Sequence, residues 1–172
     1  GGMSFHGGFI GVVLAIIYSS KVSKVPIIIF SDLIAIVSPI GLFFGRIANF
    51  INGELFGRVT NHKFGMIFPN GGNLPRHPSQ LYEALFEGLI LFLIMMFLMN
   101  NYKLFDRKGF ITASFIFFYG FFRFFIEFYR EPDLHIGLIY LNFSMGQILS
   151  LPMIIIGLYF MIIFYNKKKV KN

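Results

Sequence analysis

The sequence has no cysteine, no tryptophan and few charged residues. Asp, Glu, Lys and Arg make up only 13% of its 172 residues, about half of the fraction in a typical soluble domain. Without cysteine the chain can form no disulfide, thiolate metal site or cysteine nucleophile, so any reacting thiol has to arrive on a substrate. Acidic residues are the scarcest charged type, 8 against 15 basic ones, and the net charge is +7.

Apolar residues dominate what remains. They make up 56% of the chain, with 25 Phe, and the mean hydropathy is +0.71. Five apolar runs fall at about 5–20, 26–44, 81–100, 109–128 and 144–165, each near the roughly 20 residues that a membrane-spanning helix needs. The sequence therefore predicts an all-α, polytopic transmembrane helical bundle with about five spans. We expect one membrane-embedded domain over residues 1–172, with a small polar segment at about 45–80 on the outer side.

The basic residues indicate an orientation for this bundle. Nine of the fifteen lie in the short connections 21–25 and 101–108 and in the tail 166–172. Cytoplasmic loops of membrane proteins are enriched in Lys and Arg, so these three segments are predicted to be cytoplasmic. The N-terminus, residues 45–80 and residues 129–143 then lie on the outer side. Membrane topology accounts for the positive charge, and nucleic acid is not an expected partner.

The most polar stretch next to a span is Gly45–Arg58, which contains two Arg, two Asn, one Glu and three Gly. Polar side chains at a membrane boundary are costly and commonly functional. Arg46 and Asn49 are three residues apart and would share one face of a helix. A planar guanidinium beside an amide suits a phosphate ester.

A second polar stripe lies within the fourth span. Tyr119, Arg123 and Glu127 are spaced four and four residues apart among Phe and Ile, which puts them on one helix face. One interpretation is a structural Arg123–Glu127 pair that lets both charges enter the bilayer. The other, which we favour, is that Glu127 orients Arg123 and that Arg123 binds an anionic head group.

His6 precedes the pair Gly7 and Gly8 at the start of the first span. A single histidine at a membrane interface is often only an interfacial polar residue. The two glycines let another group or a lipid approach the backbone closely, and an imidazole with an ordinary pKa of about 6.5 suits a general base near neutral pH. The other three histidines show no metal-ligand spacing, so no metal site is expected.

The third span begins at the segment Arg76–Gln80. Pro78 followed by Ser79 indicates a loop entering a helix, and the simplest role of this segment is a helix cap. Glu83 and Glu87 follow four residues apart. Like charges at that spacing repel, so one of them should be protonated or paired with an arginine.

With the predicted topology, all these polar groups lie in the outer half of the membrane and form one site. The stretches 2–8, 45–58, 76–84 and 119–127, the last continuing to 130–133, resemble motifs of the prolipoprotein diacylglyceryl transferase family in the same order. Members of that family begin with a further N-terminal portion that includes at least one more span. The chain is therefore expected to be a fragment.

The resemblance implies transfer of a diacylglyceryl group from phosphatidylglycerol to the lipobox cysteine of a prolipoprotein signal peptide. It implies a multi-pass protein of the bacterial inner membrane, with its active site toward the outer leaflet and no cofactor. The implied catalytic residues are His6, Tyr119 and Arg123. The implied phosphatidylglycerol-binding residues are Arg46, Asn49, Glu54 and Gly57, and the implied supporting residues are Gly7, Gly8, Arg76, Glu83 and Glu127.

Two other classes of protein would also place arginines in a membrane bundle. A transporter or channel for an anionic solute should have helices broken at the midplane and often an internal repeat, whereas the polar residues here lie in the outer third and no repeat is visible. An enzyme that hydrolyses or otherwise remodels phosphatidylglycerol would show the same sequence features. Only the family resemblance favours a transferase over it.

Overall fold

A computed structural model describes residues 5–101, 107–131, 138–140 and 143–166 of the chain. The helices in this part are α1 (Phe5–Ser23), α2 (Ile27–Ile51), α3 (Ser79–Glu83), a π-helical segment (Ala84–Ile90), α4 (Leu91–Asn101), α5 (Phe110–Ile126) and α6 (Met145–Asn166). The helix that contains α3, the π-helical segment and α4 is continuous. Two short strands, β1 (Leu138–Tyr140) and β2 (Phe143–Ser144), pair antiparallel just before α6.

Helices occupy all five predicted positions, as expected for a membrane bundle. Three are long and apolar enough to cross a membrane: Ile27–Ile51, Ser79–Asn101 and Met145–Asn166. Two shorter apolar helices are Ile10–Ser23 and Phe110–Ile126. Large apolar side chains such as Leu14, Leu93 and Ile155 are exposed on the outside of the helices, an arrangement that suits hydrocarbon rather than water. The predicted helical fold is confirmed, and the chain is a membrane protein.

Close helix packing is most extensive between α5 and α6. A Cβ atom at Gly157 of α6 would lie 2.7 Å from the Cα atom of Phe117 on α5, so the backbones can approach this closely only because residue 157 has no side chain. Small residues are the usual means of packing helices in lipid, where the hydrophobic effect does not drive them together. The contact holds α5, which carries Arg123, firmly in the bundle.

Asp32 of α2 holds the first residues of α5, at the end of that helix opposite Arg123. Its side chain is fully buried. One carboxylate oxygen accepts the backbone N–H of Gly109 at 2.6 Å, and the other accepts the N–H and the hydroxyl of Thr112 at 2.8 and 2.6 Å. The first N–H groups of a helix have no partner within the helix, so a carboxylate from α2 here acts as its cap.

Residues 52–78, here called the lobe, connect α2 to α3 without regular helix. Arg76 forms β-bridges with both Val59 and Met66, so three parts of the lobe pair with one another. A further bridge joins Gly57 to Arg130 and attaches the lobe to the segment after α5. The lobe therefore lies over the end of the bundle that contains Arg46 and Arg123.

The predicted cap at the start of α3 is wrong. Pro78 occupies the N-cap position and no side chain caps the helix. The hydroxyl of Ser79 instead donates to the carbonyl oxygen of Leu55 at 3.1 Å, and the side-chain amide of Gln80 donates to that of Glu54 at 2.6 Å. Both polar side chains are fully buried and hold the first residues of the lobe against α3.

Candidate functional site

A buried cluster of ion pairs lies where α2, α3 and α5 meet, and Glu83 is at its centre. The Glu83 carboxylate is fully buried and contacts three guanidinium groups. Arg46 from α2 approaches to 3.1 Å through Nε, Arg123 from α5 to 2.8 Å through Nη1, and Arg130 to 3.2 Å through Nη1. A carboxylate in this position links three segments that are distant in sequence.

Glu87 lies on the π-helical segment beside Glu83 and is also fully buried. Its two oxygens lie 3.5 Å from Nη2 of Arg46 and 3.5 Å from Nη1 of Arg123. The sequence allowed either protonation or pairing with an arginine as relief for the two neighbouring glutamates, and pairing is what the structure shows. Short π-helical segments are rare and are often found at functional sites.

Arg123 and Glu127 form the predicted ion pair along α5, with Nη2 and Oε2 3.1 Å apart. The pair is not self-contained, because Arg123 also contacts Glu83 and the hydroxyl of Ser144 donates to Oε1 of Glu127 at 3.0 Å. Tyr119, one turn earlier on α5, packs against the apolar core and stacks on Phe115. The structure therefore joins the stripe on α5 to Glu83 of α3 and to Ser144 of β2.

The arginines of this cluster retain a small exposed fraction, 13–16% of each side chain. Three guanidiniums face three carboxylates, so the charges balance within the cluster. Removing one partner from such a buried set strongly destabilises the remainder, because a charge is left without compensation. The arrangement can hold planar guanidinium donors at fixed positions at the lobe end of the bundle, where an oxyanion could be received.

Three other predicted residues lie around this cluster without joining its ion pairs. Asn49 is partly buried on α2, one turn after Arg46. Glu54 has an exposed side chain whose carboxylate accepts from the amide of Asn52 at 3.3 Å. Gly57 is buried, and a Cβ atom there would lie 2.7 Å from the carbonyl oxygen of His77, so this position admits no side chain.

Arg76 contacts Glu131 and parts of the lobe rather than the cluster. Its Nη1 lies 2.7 Å from Oε2 of Glu131, its Nε donates to the carbonyl of Gly71 at 2.9 Å, and its guanidinium lies 4.9 Å from the ring centre of Phe56. These contacts hold the lobe together.

Gly7 and Gly8 are exposed on α1, and no other group lies within 4 Å of a Cβ placed at Gly8. The side chain of His6, although its backbone belongs to α1, lies outside the described residues. So do residues 1–4, 102–106, 132–137, 141–142 and 167–172, which include Asp133 and most of the predicted cytoplasmic lysines.

Two members of the cluster were not identified as such from the sequence. Glu87 was expected to be either protonated or paired with an arginine, without a named partner, and Arg130 was recognised only as part of a motif. A signal for Arg130 was present, because it follows Glu127 by three residues and so continues the stripe that begins at Tyr119. No comparable local signal identifies the partners of Glu87, since both arginines come from other helices.

An aromatic groove of about 660 Å³ lies beside the cluster, between the first part of the third span and α5. It is lined by His62, His77, Tyr82, Phe86, Phe121, Phe122, Phe125, Ile126 and Tyr129. Nδ1 of His77 lies 3.3 Å from the hydroxyl of Tyr82. Burial, and secondarily the nearby His62, lowers the pKa of His77, so this imidazole is neutral near pH 7. The groove therefore combines apolar walls with the polar pair of His77 and Tyr82.

The fold and the site together define a helical membrane protein with a buried arginine–glutamate cluster at one end of its bundle. The family model described as prolipoprotein diacylglyceryl transferase matches residues 1–163, and the chain belongs to this family. It is 56% identical over 159 residues to a phosphatidylglycerol–prolipoprotein diacylglyceryl transferase of Rickettsia akari, covering 92% of this chain and 61% of that protein.

A second relative of the same name, from Geobacter sulfurreducens, is 51% identical over 170 residues, which are 99% of this chain and 64% of the relative. The chain thus spans about three fifths of the length of these curated relatives.

Proposed function

We propose that this chain carries out the transfer named in its relatives, moving a diacylglyceryl group from phosphatidylglycerol to the cysteine thiol of a prolipoprotein signal peptide. The observation that carries the proposal is the buried cluster of Arg46, Glu83 and Arg123. These residues come from three separate stretches of the family-like sequence and meet at one point. The family of the chain supports the same reaction.

The reaction needs positive charge where the leaving group departs. As the thiol sulfur forms its bond to carbon 3 of the diacylglyceryl group, the bond from that carbon to the phosphate oxygen breaks, and glycerol phosphate leaves with increased negative charge. Fixed cations stabilise such a transition state. We assign this role to Arg46 and Arg123, with Asn49 as a neighbouring donor and with Glu83 and Glu127 holding the guanidiniums in position.

The thiol must lose its proton in the same reaction. A free cysteine thiol has a pKa of about 8.5 and is mostly protonated at neutral pH, so a base accelerates attack. His6 is our proposed base, and Tyr119 orients a reacting group or shares in the proton transfer. Glu54 and Gly57 support the site through the lobe, where the Glu54 carbonyl and the Gly57 backbone are held by Gln80 and His77.

Both substrates have to reach the cluster from within the bilayer. The aromatic groove provides apolar walls for this sideways approach, and the exposed faces of Phe121 and Phe125 match hydrocarbon chains. We place the chain in the bacterial inner membrane with the lobe and the cluster toward the outer leaflet, as the distribution of Lys and Arg predicts.

The direct test reconstitutes the chain in vesicles of phosphatidylglycerol and adds a peptide with a lipobox cysteine. The proposal expects release of glycerol phosphate together with a gain of one diacylglyceryl mass on the peptide. A serine-substituted peptide and vesicles of phosphatidylcholine are the matched controls, and neither should react. Release of glycerol phosphate without modification of the peptide would instead assign a hydrolase.

A further inference from the structure

Each arginine proposed to bind the lipid phosphate is already engaged with carboxylates. Arg46 contacts Glu83 and Glu87, and Arg123 contacts both of these and Glu127. With Arg130 the cluster contains three positive and three negative groups. An anionic phosphate that enters this neutral, nearly buried set adds one uncompensated negative charge.

Such a charge is costly where water is scarce, and a buried group usually avoids it by changing its protonation. The guanidiniums cannot gain positive charge, since Arg is protonated throughout the accessible pH range. The least costly adjustment is for one carboxylate to take up a proton as the phosphate binds. The proton neutralises the added charge and frees guanidinium N–H groups for the phosphate oxygens.

The geometry singles out Glu87 among the three carboxylates. Glu83 contacts three arginines at 2.8–3.2 Å, and Glu127 holds Arg123 at 3.1 Å and accepts the hydroxyl of Ser144. Glu87 has only two arginine contacts, both at 3.5 Å. Its carboxylate is therefore the most weakly held charge in the cluster.

The groups that face Glu87 come from every helix packed around it. Arg46 faces it from α2, Glu83 from α3, and Arg123 and Tyr119 from α5. Burial and the neighbouring Glu83 oppose the charged carboxylate, and the two arginines favour it in the absence of ligand. A phosphate that draws the arginines toward itself removes the favourable contribution and leaves the repulsion from Glu83.

We propose that Glu87 takes up one proton from solution when the anionic phosphate of the lipid binds to Arg46 and Arg123. Binding of the anion and of the proton is then linked, and the neutral carboxylic acid of Glu87 can donate a hydrogen bond to the phosphate. The inference rests on the proposed function, because it takes the phosphate of phosphatidylglycerol as the ligand of the cluster.

Linkage gives the sign of the pH dependence. A ligand that binds together with one proton loses affinity as the pH rises, by up to about tenfold in Kd per pH unit. A variant with glutamine at position 87 carries a permanently neutral side chain, so its affinity should no longer depend on this proton. Glu87→Gln should therefore bind phosphatidylglycerol at least as tightly as the parent chain at high pH.

The experiment is calorimetry of the detergent-solubilised chain with dihexanoyl phosphatidylglycerol, in two buffers of different ionisation enthalpy at the same pH. The buffer dependence of the heat gives the number of protons taken up per lipid. The expected uptake approaches one for the parent chain and falls close to zero for Glu87→Gln. Thermal unfolding of both chains verifies that the variant is folded.

Glu131→Gln is the matched control, because Glu131 also pairs with an arginine, Arg76, but its side chain is 37% exposed and lies outside the cluster. It should leave the proton uptake unchanged. Dihexanoyl phosphatidylcholine, whose head group has no net charge, should cause no uptake in any of the three chains.

Phosphatidylglycerol binding by the parent chain without proton uptake would overturn the inference and leave the proposed function standing. Equal uptake by the parent and by folded Glu87→Gln would overturn it as well. A chain that binds no phosphatidylglycerol at any pH would overturn both the inference and the proposed function.

Discussion

At the scale of single residues, replacing Arg46 tests whether activity requires the geometry of a guanidinium or only its positive charge. Lysine retains the charge but cannot bind a phosphate in two places or keep both contacts to Glu83 and Glu87. We expect Arg46→Lys to insert normally and to lose activity by about 10- to 100-fold, the equivalent of one charge-assisted hydrogen bond. The measurement is the rate of glycerol phosphate release at saturating lipid.

Arg107→Lys serves as the control for this exchange. Arg107 lies at the other end of the bundle, where its guanidinium stacks 4.3 Å from the ring centre of Tyr165. Its replacement should leave turnover near that of the parent. If Arg46→Lys were equally active, Arg46 would be a structural residue and not a phosphate ligand.

His6 is tested through the pH dependence of the reaction. His6→Asn retains polarity and removes the titrating group. Because spontaneous thiolate formation increases toward a pKa of about 8.5, the residual rate of the variant should keep rising with pH, while the rate of the parent should level off above the imidazole pKa of about 6.5. A pH–rate profile of both chains decides the matter. A variant with the parent's rate at pH 7 would exclude His6 as the base and direct attention to Tyr119.

Replacing both Arg123 and Glu127 distinguishes a structural role of this ion pair from a functional one. Arg123→Met combined with Glu127→Leu removes both charges and leaves apolar side chains of fair size, an exchange that buried ion pairs often tolerate. We expect this double variant to insert but to be inactive, whereas Glu127→Gln alone retains partial activity. Insertion is followed by membrane fractionation and activity by the transfer assay.

The structure adds a reason for this expectation. Arg123 also contacts Glu83 at 2.8 Å, and Glu83 keeps Arg46 and Arg130 as partners after the double exchange. The remaining cluster therefore still holds compensated charges. Retained activity in the double variant would remove Arg123 from the site.

At the scale of secondary structure, Asp32 determines how α5 begins. Asp32→Ala removes three hydrogen bonds and leaves the N–H groups of Gly109 and Thr112 without partners. The expected loss is about 1–3 kcal/mol, which corresponds to a melting temperature lower by several degrees. Thermal unfolding in detergent measures it. Asp32→Asn, which keeps one acceptor oxygen, should lose less, and equal stability of Asp32→Ala and the parent would contradict the capping role.

The helices also show which structural features could be predicted from sequence patterns alone. Apolar length predicted all five helical positions, because a bilayer leaves few alternatives to a helix that satisfies its own backbone hydrogen bonds. The four-residue spacing of Arg123 and Glu127 predicted their ion pair, because neighbours on one helix face follow from local geometry. The cap predicted for the segment Arg76–Gln80 was wrong, because Pro78 occupies the N-cap position and the Ser79 hydroxyl, already inside the helix, donates to the carbonyl of Leu55 in the lobe.

At the scale of the whole molecule, the orientation in the membrane remains a prediction. The nine basic residues in 21–25, 101–108 and 166–172 should be cytoplasmic. A reporter enzyme fused after Asn172 should be active only in its cytoplasmic form, and one inserted in the lobe after Gly72, which is exposed, should be active only in its external form. The reverse result would place the cluster on the cytoplasmic side and contradict a site in the outer leaflet.

Sequence alone was enough for the properties that depend on neighbours along the chain or on the surrounding solvent. The membrane bundle, the family and the stripe of Tyr119, Arg123 and Glu127 all follow from composition, spacing and motifs. They do so because helical periodicity and the cost of burying polar backbone in lipid act on every short segment by itself.

Three-dimensional packing was required for the partners that join distant segments. Glu83 meets Arg46 and Arg123 across separations of 37 and 40 residues, and Asp32 meets Thr112 across 80. No local rule selects these pairs from the other charged residues. They form because α2, α3 and α5 pack at one angle and register, and a buried charge in that arrangement persists only where its counter-charge lies within a few ångströms.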